Sequence, residues 1–444
     1  MTKARYLRLA DMLAGAIKDG KLAPGQKLPT HRAFAEQCHV ALATATRVYQ
    51  ELARRGLITG EAGRGTFVRD LGVPLTLGVH QTASDGLIDL VFNMPGEAAD
   101  AEMLRKGLRR LSAAGDLDAM LRYQPHAGRL HERRIIADSL APRLGPVDPE
   151  QLLVTSGGQH GLALLALGLF QRGDAIATDA LTYPGFKSVA ALQGLGLVPV
   201  QGPRGMMDAD DLEKQCRAHK LSAVYLMPTV HNPLGGVIDL PTRRRIVEIA
   251  RKFDLQIIED AAYAFLEPNP PPSFVTLAPE RTIYVGSYSK CLATGLRLGF
   301  LIAPKPCQIR LQEAIRATTW NAPALISGLV TGWIQDGTLQ NREQARRQDG
   351  AARQHLCQQI LGPASVVSHP NAGFAWVPLH KGSRADPLIA RLKEQGISVS
   401  GAAAFATTVA IPQALRLAFG GVPSDALEQV FQTVYDTIGN ARVA

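Results

Sequence analysis

Apolar residues recur at the helical period from Tyr6 to Ile17, at Tyr6, Leu9, Ala10, Leu13, Ala16 and Ile17, and predict a first helix. Thr30 can accept a backbone N–H as an N-cap, and HRAFAEQCHV after it keeps Ala33, Phe34 and Cys38 on one face of a second helix. A short turn at His39 and Val40 leads to a third, ALATATRVYQELARRG. Two short β-prone runs follow, LIT and GTFV, separated by glycines. The pattern predicts a helix–turn–helix with a two-stranded wing, its third helix placed to enter a major groove.

From Asp70 to Gly86 neither period is sustained, so residues 70–86 are expected to link a head (1–69) to a body (87–444). In the body, helical stretches alternate with short apolar runs, the signature of an α/β fold with a largely parallel sheet. QLLVTS, DAIATDA, SAVYLMP, LQIIED and TIYVG read as strands. Just past their carboxyl ends come Gly157, Gly158 and Gln159, then Tyr183, Asn232, Asp260 with Tyr263, and Lys290. Ligands of open α/β sheets gather at that edge.

Charge changes the picture at one place. The chain carries +9, and residues 1–70 hold four Lys and eight Arg against three Asp and three Glu, a net +6. A nucleic-acid-binding head on a near-neutral body fits that asymmetry. With 20% charged residues and no apolar run long enough to span a bilayer, no membrane partner is expected; LALLALGLF is too short. Five scattered cysteines without CxxC spacing point to reduced thiols in a cytoplasmic protein, and away from structural zinc.

In IYVGSYSKCLATGLRLGF, Lys290 and Arg297 stand among few polar neighbours. They could be cations snorkelling from an element's edge, or they could be paired with a ligand. Pyridoxal phosphate would use the whole strand-end set. Lys290 is an amine able to form an imine, and Asp260 a fixed anion for the pyridine nitrogen, with Glu259 facing the other way. Asn232 and Tyr263 can donate to the ring oxygen, and Tyr183 can cover the ring face. The amides of GGQHG with Ser287 and Arg297 suit a phosphate. Singly, Asn232-Pro233 could be a turn, Tyr183 a surface aromatic and Asp260 a helix cap. Only one cofactor's needs account for all of them on one edge.

The head resembles the winged helices of GntR-type bacterial regulators, on GKLAPGQKLPTHRAFAE, YQELARRG and GRGTFV. That resemblance implies Arg32 and Arg64 near DNA backbone or minor groove. Where the family commonly has Ser-Arg, this chain has Ala41-Leu42, which leaves Thr44, Thr46 and Arg47 as the groove-facing polar residues. Residues from about 87 to 440 resemble a fold-type-I aminotransferase, on YQPHAG, TSGGQHGL, LTYPGF, HNPLGG, IIEDAAY, GSYSKCLATGLRLGF and LRLAFG. This implies a large domain over about 120–315. A smaller α+β part would follow over about 316–444, joined by residues near 87–119.

By the same resemblance Lys290 is the Schiff-base lysine, with Asp260 and Tyr263 its catalytic companions. Tyr123 would reach the partner's cofactor in a homodimer, Arg416 would grip a substrate or effector α-carboxylate, and Gly158 would offer phosphate its backbone only. The combination resembles the MocR subfamily, which implies a DNA-binding regulator that senses an amine, amino acid or B6 vitamer. A working aminotransferase with an appended head stays open, since lysine, aspartate and carboxylate-binding arginine are all present.

Overall fold

The head's pattern becomes three helices, α1 (Arg5–Lys18), α2 (His31–Gln37) and α3 (Leu42–Arg54), followed by an antiparallel wing of β1 (Ile58–Glu61) and β2 (Gly65–Val68). This is a computed structural model; it describes residues 5–18, 21–23, 25–55, 57–61, 65–68, 87–94, 99–113, 117–380 and 382–440. The expected linker and Arg64 lie outside the described residues. Thr30 caps α2, its hydroxyl accepting the Ala33 N–H at 3.2 Å. Ala10, Ile17, Phe34, Ala45, Val48 and Leu52 close one small core with the wing's Ile58 and Val68. Tyr49 is buried there too, and its hydroxyl donates to the Pro29 carbonyl at 2.7 Å.

After residues 70–86, β3 (Ile88–Asp89) pairs in parallel with β12 (Ile397–Ser398), so the chain enters the body beside its C-terminal part. The large sheet contains β4 (Leu152–Thr155), β5 (Ala175–Asp179), β6 (Gly196–Val200), β7 (Leu221–Leu226), β8 (Gln256–Asp260), β9 (Thr282–Ser287) and β10 (Gly299–Ile302). Its order is β4-β10-β9-β8-β7-β5-β6, and β10 alone runs antiparallel, between β4 and β9. Two of these strands, β6 and β10, go beyond the five expected.

Alternation along each strand serves two apolar layers. Ala223, Tyr225 and Ile258 pack in one core, whereas Val224, Leu226 and Ile257 pack in the other. A smaller sheet, β11 (Phe374–Pro378), β14 (Ala414–Ala418) and β13 (Ser400–Gly401), packs with the helix Leu427–Asn440 around Leu415, Leu417, Phe419 and Phe431.

A cluster of hydrogen bonds laces the segment between β13 and β14 to the large sheet. The buried Lys187 Nζ donates to the carbonyls of Ala403, Ala404 and Ala406, at 3.2, 2.8 and 2.7 Å. The Thr182 N–H donates to Phe405 O and the Thr407 N–H to Ala180 O, both at 2.9 Å. These bonds carry Phe405, and with it the β14 end of the small sheet, to the carboxyl edge of the large one.

Candidate functional site

Period two in β8 puts Glu259 and Asp260 on opposite sides of the sheet. Glu259 turns to the outer layer and accepts from the Ser273 hydroxyl and the Val275 N–H. Asp260 turns to the inner one, is buried, and accepts from the Tyr225 hydroxyl at 2.7 Å and the Ala262 N–H at 3.0 Å. Burial raises its pKa, against the pull of those two donors. Among the described residues it has no cationic partner, so it is a buried acid with room for a positive charge.

That room is a cavity of about 410 Å³ at the carboxyl edge of the sheet. Asp260, Asn232, Tyr263 and Lys290 line it, as do Tyr183 and Gln159. Five strand ends therefore meet around one space. The Lys290 Nζ donates to the Asn93 carbonyl at 2.7 Å and lies 5.9 Å from the Tyr263 ring centroid. Asn93 also donates from its amide to the Tyr263 hydroxyl, at 3.4 Å. Tyr183 forms the N-cap of the helix Pro184–Gln193. Its phenol is pushed up by burial and by the nearby Asp260 charge, so it stays protonated and neutral.

At the opposite end, the helix Gly158–Leu169 opens without a side-chain cap, leaving its first N–H groups for an anion. Gly157, ahead of it, has φ +90°, and a Cβ there would come within 2.8 Å of Arg297 Nη2. A Cβ on Gly158 would sit 3.3 Å from that of Ser287. Only a side-chain-free turn lets the guanidinium lie so close. Arg297 itself has φ +48°, uncommon for a non-glycine residue, and donates to the Ser289 hydroxyl at 3.2 Å. Ser287, Ser289, Arg297 and Gly158 all line this end of the cavity. The cradle fits a phosphate.

Arg416, on β14, reaches the cavity from the small sheet and is 3% exposed. It donates to the Val91 carbonyl at 2.9 Å and to Asn232 Oδ1 at 3.5 Å, while its Nε is buried without a hydrogen-bond partner. Burial lowers its pKa, opposed chiefly by Tyr263. A buried guanidinium with an unspent N–H can take a carboxylate. Tyr123 is elsewhere: 85% exposed, against Trp320 with ring centroids 5.5 Å apart, and not part of its own chain's cavity.

Tyr225, Asn93 and Val91 went unread in the sequence. Tyr225 shares strand parity with the core residue Ala223, a signal that could have placed it beside the inner carboxylate. Val91 acts through its carbonyl oxygen and carries no side-chain signature, and Asn93, which meets Lys290 through its carbonyl and Tyr263 through its amide, lies outside the strand ends that the sequence pattern marks. In the head, Arg32 and Arg47 are exposed, and Thr44 is half-buried. The Thr46 hydroxyl lies 3.4 Å from His31 Nδ1.

Residues 88–434 match the class I and II aminotransferases, and residues 5–68 match the gntR family of bacterial regulatory proteins. An uncharacterized HTH-type transcriptional regulator of Bacillus subtilis, YdeF, is 28% identical, covering 93% of this chain and 89% of its own. The HTH-type pyridoxine biosynthesis transcriptional regulator PdxR of Corynebacterium glutamicum is 27% identical over 97% of this chain and 95% of its own. Among solved structures, LysN, an alpha-aminoadipate aminotransferase of Thermus thermophilus complexed with N-(5'-phosphopyridoxyl)-L-leucine, superposes with a TM-score of 0.72. It is 25% identical, over 81% of this chain and 94% of its own. Among the described residues, no helix is long and apolar enough to cross a membrane, and no group of His, Cys, Asp or Glu could hold a metal ion.

Proposed function

The chain belongs to the class I and II aminotransferase family and carries a GntR-type DNA-binding head, and from that premise we propose that it is a homodimeric transcription regulator in which pyridoxal phosphate, held at Lys290, senses an amine, amino acid or B6 vitamer. The observation that carries this reading is the cavity in which Lys290, Asp260, Arg297 and Arg416 converge, in a chain whose residues 5–68 match the gntR family of regulatory proteins.

Pyridoxal phosphate supplies, when bound, an aldehyde that condenses with amines and a ring that withdraws electrons once protonated. The chain's residues would divide the holding of it. Lys290 would secure the aldehyde carbon through its amine. Asp260, costly to ionise alone, would keep a proton on the ring nitrogen by facing it with a fixed negative charge. Asn232 and Tyr263 would donate to the ring oxygen, and Tyr183 would cover one ring face. Ser287, Arg297 and the amides at Gly158 and Gln159 would hold the phosphate. Arg416 would orient an incoming α-carboxylate, and Tyr123, exposed beside Trp320, would reach the second subunit. Arg32, Thr44, Thr46, Arg47 and Arg64 would meet the operator.

An effector changes DNA binding only by the difference in its affinity for two arrangements of the dimer. The completeness of the amine-handling set also favours a second reading, a working aminotransferase with an appended head. One experiment tests the proposal and separates the two. The protein is loaded with pyridoxal phosphate and followed by absorbance while amino acids, other amines and oxoacids are added. The regulator reading expects a visible chromophore in wild type, absent in Lys290→Ala, and spectral shifts without sustained product. A colourless loaded wild type sinks the cofactor assignment, and many turnovers at ordinary enzyme rates support the transaminase.

A further inference from the structure

The start of α3 presents apolar rather than polar chemistry. Ala41, Leu42 and Ala43 are all exposed, Leu42 by 47%, and Leu42 takes no part in the head's core. The next polar groups are less available than this tip, Thr44 being half-buried and the Thr46 hydroxyl lying 3.4 Å from His31 Nδ1. Cations surround the tip. Arg5 and Arg32 line one shallow depression together with Leu42 and Thr44, and Arg47 is exposed one turn further along the helix. Arg5 is held there by donating to the His39 carbonyl at 3.1 Å. Glu36 is the acid of that depression, and the first turn of α3 has none. The helix N-terminus is uncapped by any side chain.

An exposed leucine with arginines beside it suits a surface that carries phosphates outside and apolar groups within. The major groove is such a surface, and its apolar group is the thymine 5-methyl. Without arginine at 41–43 there is no bidentate donor there for guanine. Resting on the reading of the head as a DNA-binding unit, we propose that Leu42 and Ala43 form an apolar tip that recognises thymine methyl groups in each half-site, while Arg5, Arg32 and Arg47 hold the flanking phosphates.

The test needs no known operator. Duplexes are selected from a random library with the full-length chain. Thymines of the selected site are then replaced one at a time by deoxyuridine, which removes only the methyl. Affinity is read by fluorescence anisotropy at fixed salt. Expected are thymine positions in each half-site where uracil weakens binding about three- to five-fold. In Leu42→Ala, an exposed substitution, that penalty shrinks towards unity. The inference is overturned if selected half-sites lack thymine, if uracil is tolerated everywhere, or if the penalty persists undiminished in Leu42→Ala. Failure to select any sequence overturns both this inference and the DNA-binding reading, whereas specific binding without methyl dependence overturns this inference alone.

Discussion

Asp260 is the residue on which the cofactor assignment turns, because its burial costs something in the empty chain. Its folded pKa is raised by desolvation. The neutral form therefore favours the folded state below the ordinary carboxylate range, about pH 4, and that stabilisation is lost as pH rises through the raised value. An amide at this position does not titrate. Cofactor-free Asp260→Asn should thus gain stability relative to wild type as pH climbs from about 4 to neutrality, in paired thermal melts, while retaining pyridoxal phosphate less well. A wild type that gains on the variant with rising pH contradicts this account of the site. Arg416, with its unspent Nε, makes a second residue-scale prediction. Arg416→Ala should weaken the spectral response to an α-amino acid on the order of 10- to 100-fold, the worth of charge-assisted hydrogen bonds, and leave that to the decarboxylated amine nearly unchanged. Equal losses for both ligands would remove the carboxylate role. Lys290 and Asp260 were legible in the sequence because each falls at or just past the carboxyl end of an apolar strand, with strand parity separating Asp260 from Glu259. Tyr225 was not, since a tyrosine in SAVYLMP looks like any other core aromatic.

At the scale of elements, the turn from β4 into the helix Gly158–Leu169 would carry the anion end of the proposed site. Gly157→Ala places a Cβ 2.8 Å from Arg297 Nη2 at φ +90°. Strain of about 1–3 kcal/mol in the cofactor-free protein should follow. A displaced Arg297 should raise the dissociation constant for pyridoxal phosphate roughly tenfold, the weight of about 1.4 kcal/mol. Calorimetry and absorbance titration read the two effects, and unchanged values in both would show that the guanidinium does not need this glycine. The strand–turn–helix order was legible here, from QLLVTS into the glycines of GGQHG. β10 was not, either as a strand or in its direction. Its residues GFLI are buried throughout, and a strand buried on both faces has the same pattern whichever way it runs. Nor could a pattern foresee that Lys187, an ordinary helical lysine in the sequence, spends its ammonium on carbonyls 403, 404 and 406 and so brings Phe405 to the cavity.

On the proposed function, the whole molecule joins a basic reading head to an amine-sensing body, and the join would pass through a dimer. Leu121 and Tyr123 are exposed by 87% and 85%, and the Trp320 ring lies tilted against that of Tyr123. Leu121→Asp should shift the sedimenting species from dimer to monomer at micromolar concentration; an unchanged dimer would place the interface elsewhere. The most direct test of the central claim measures affinity for the protein's own upstream DNA at fixed salt, with and without pyridoxal phosphate and a panel of amines, for wild type and Lys290→Ala. Wild-type affinity or footprint should change several-fold on loading or with one of the amines, and Lys290→Ala should lose that response. DNA binding that is the same in every condition for both proteins would contradict the claim that the cavity instructs the head.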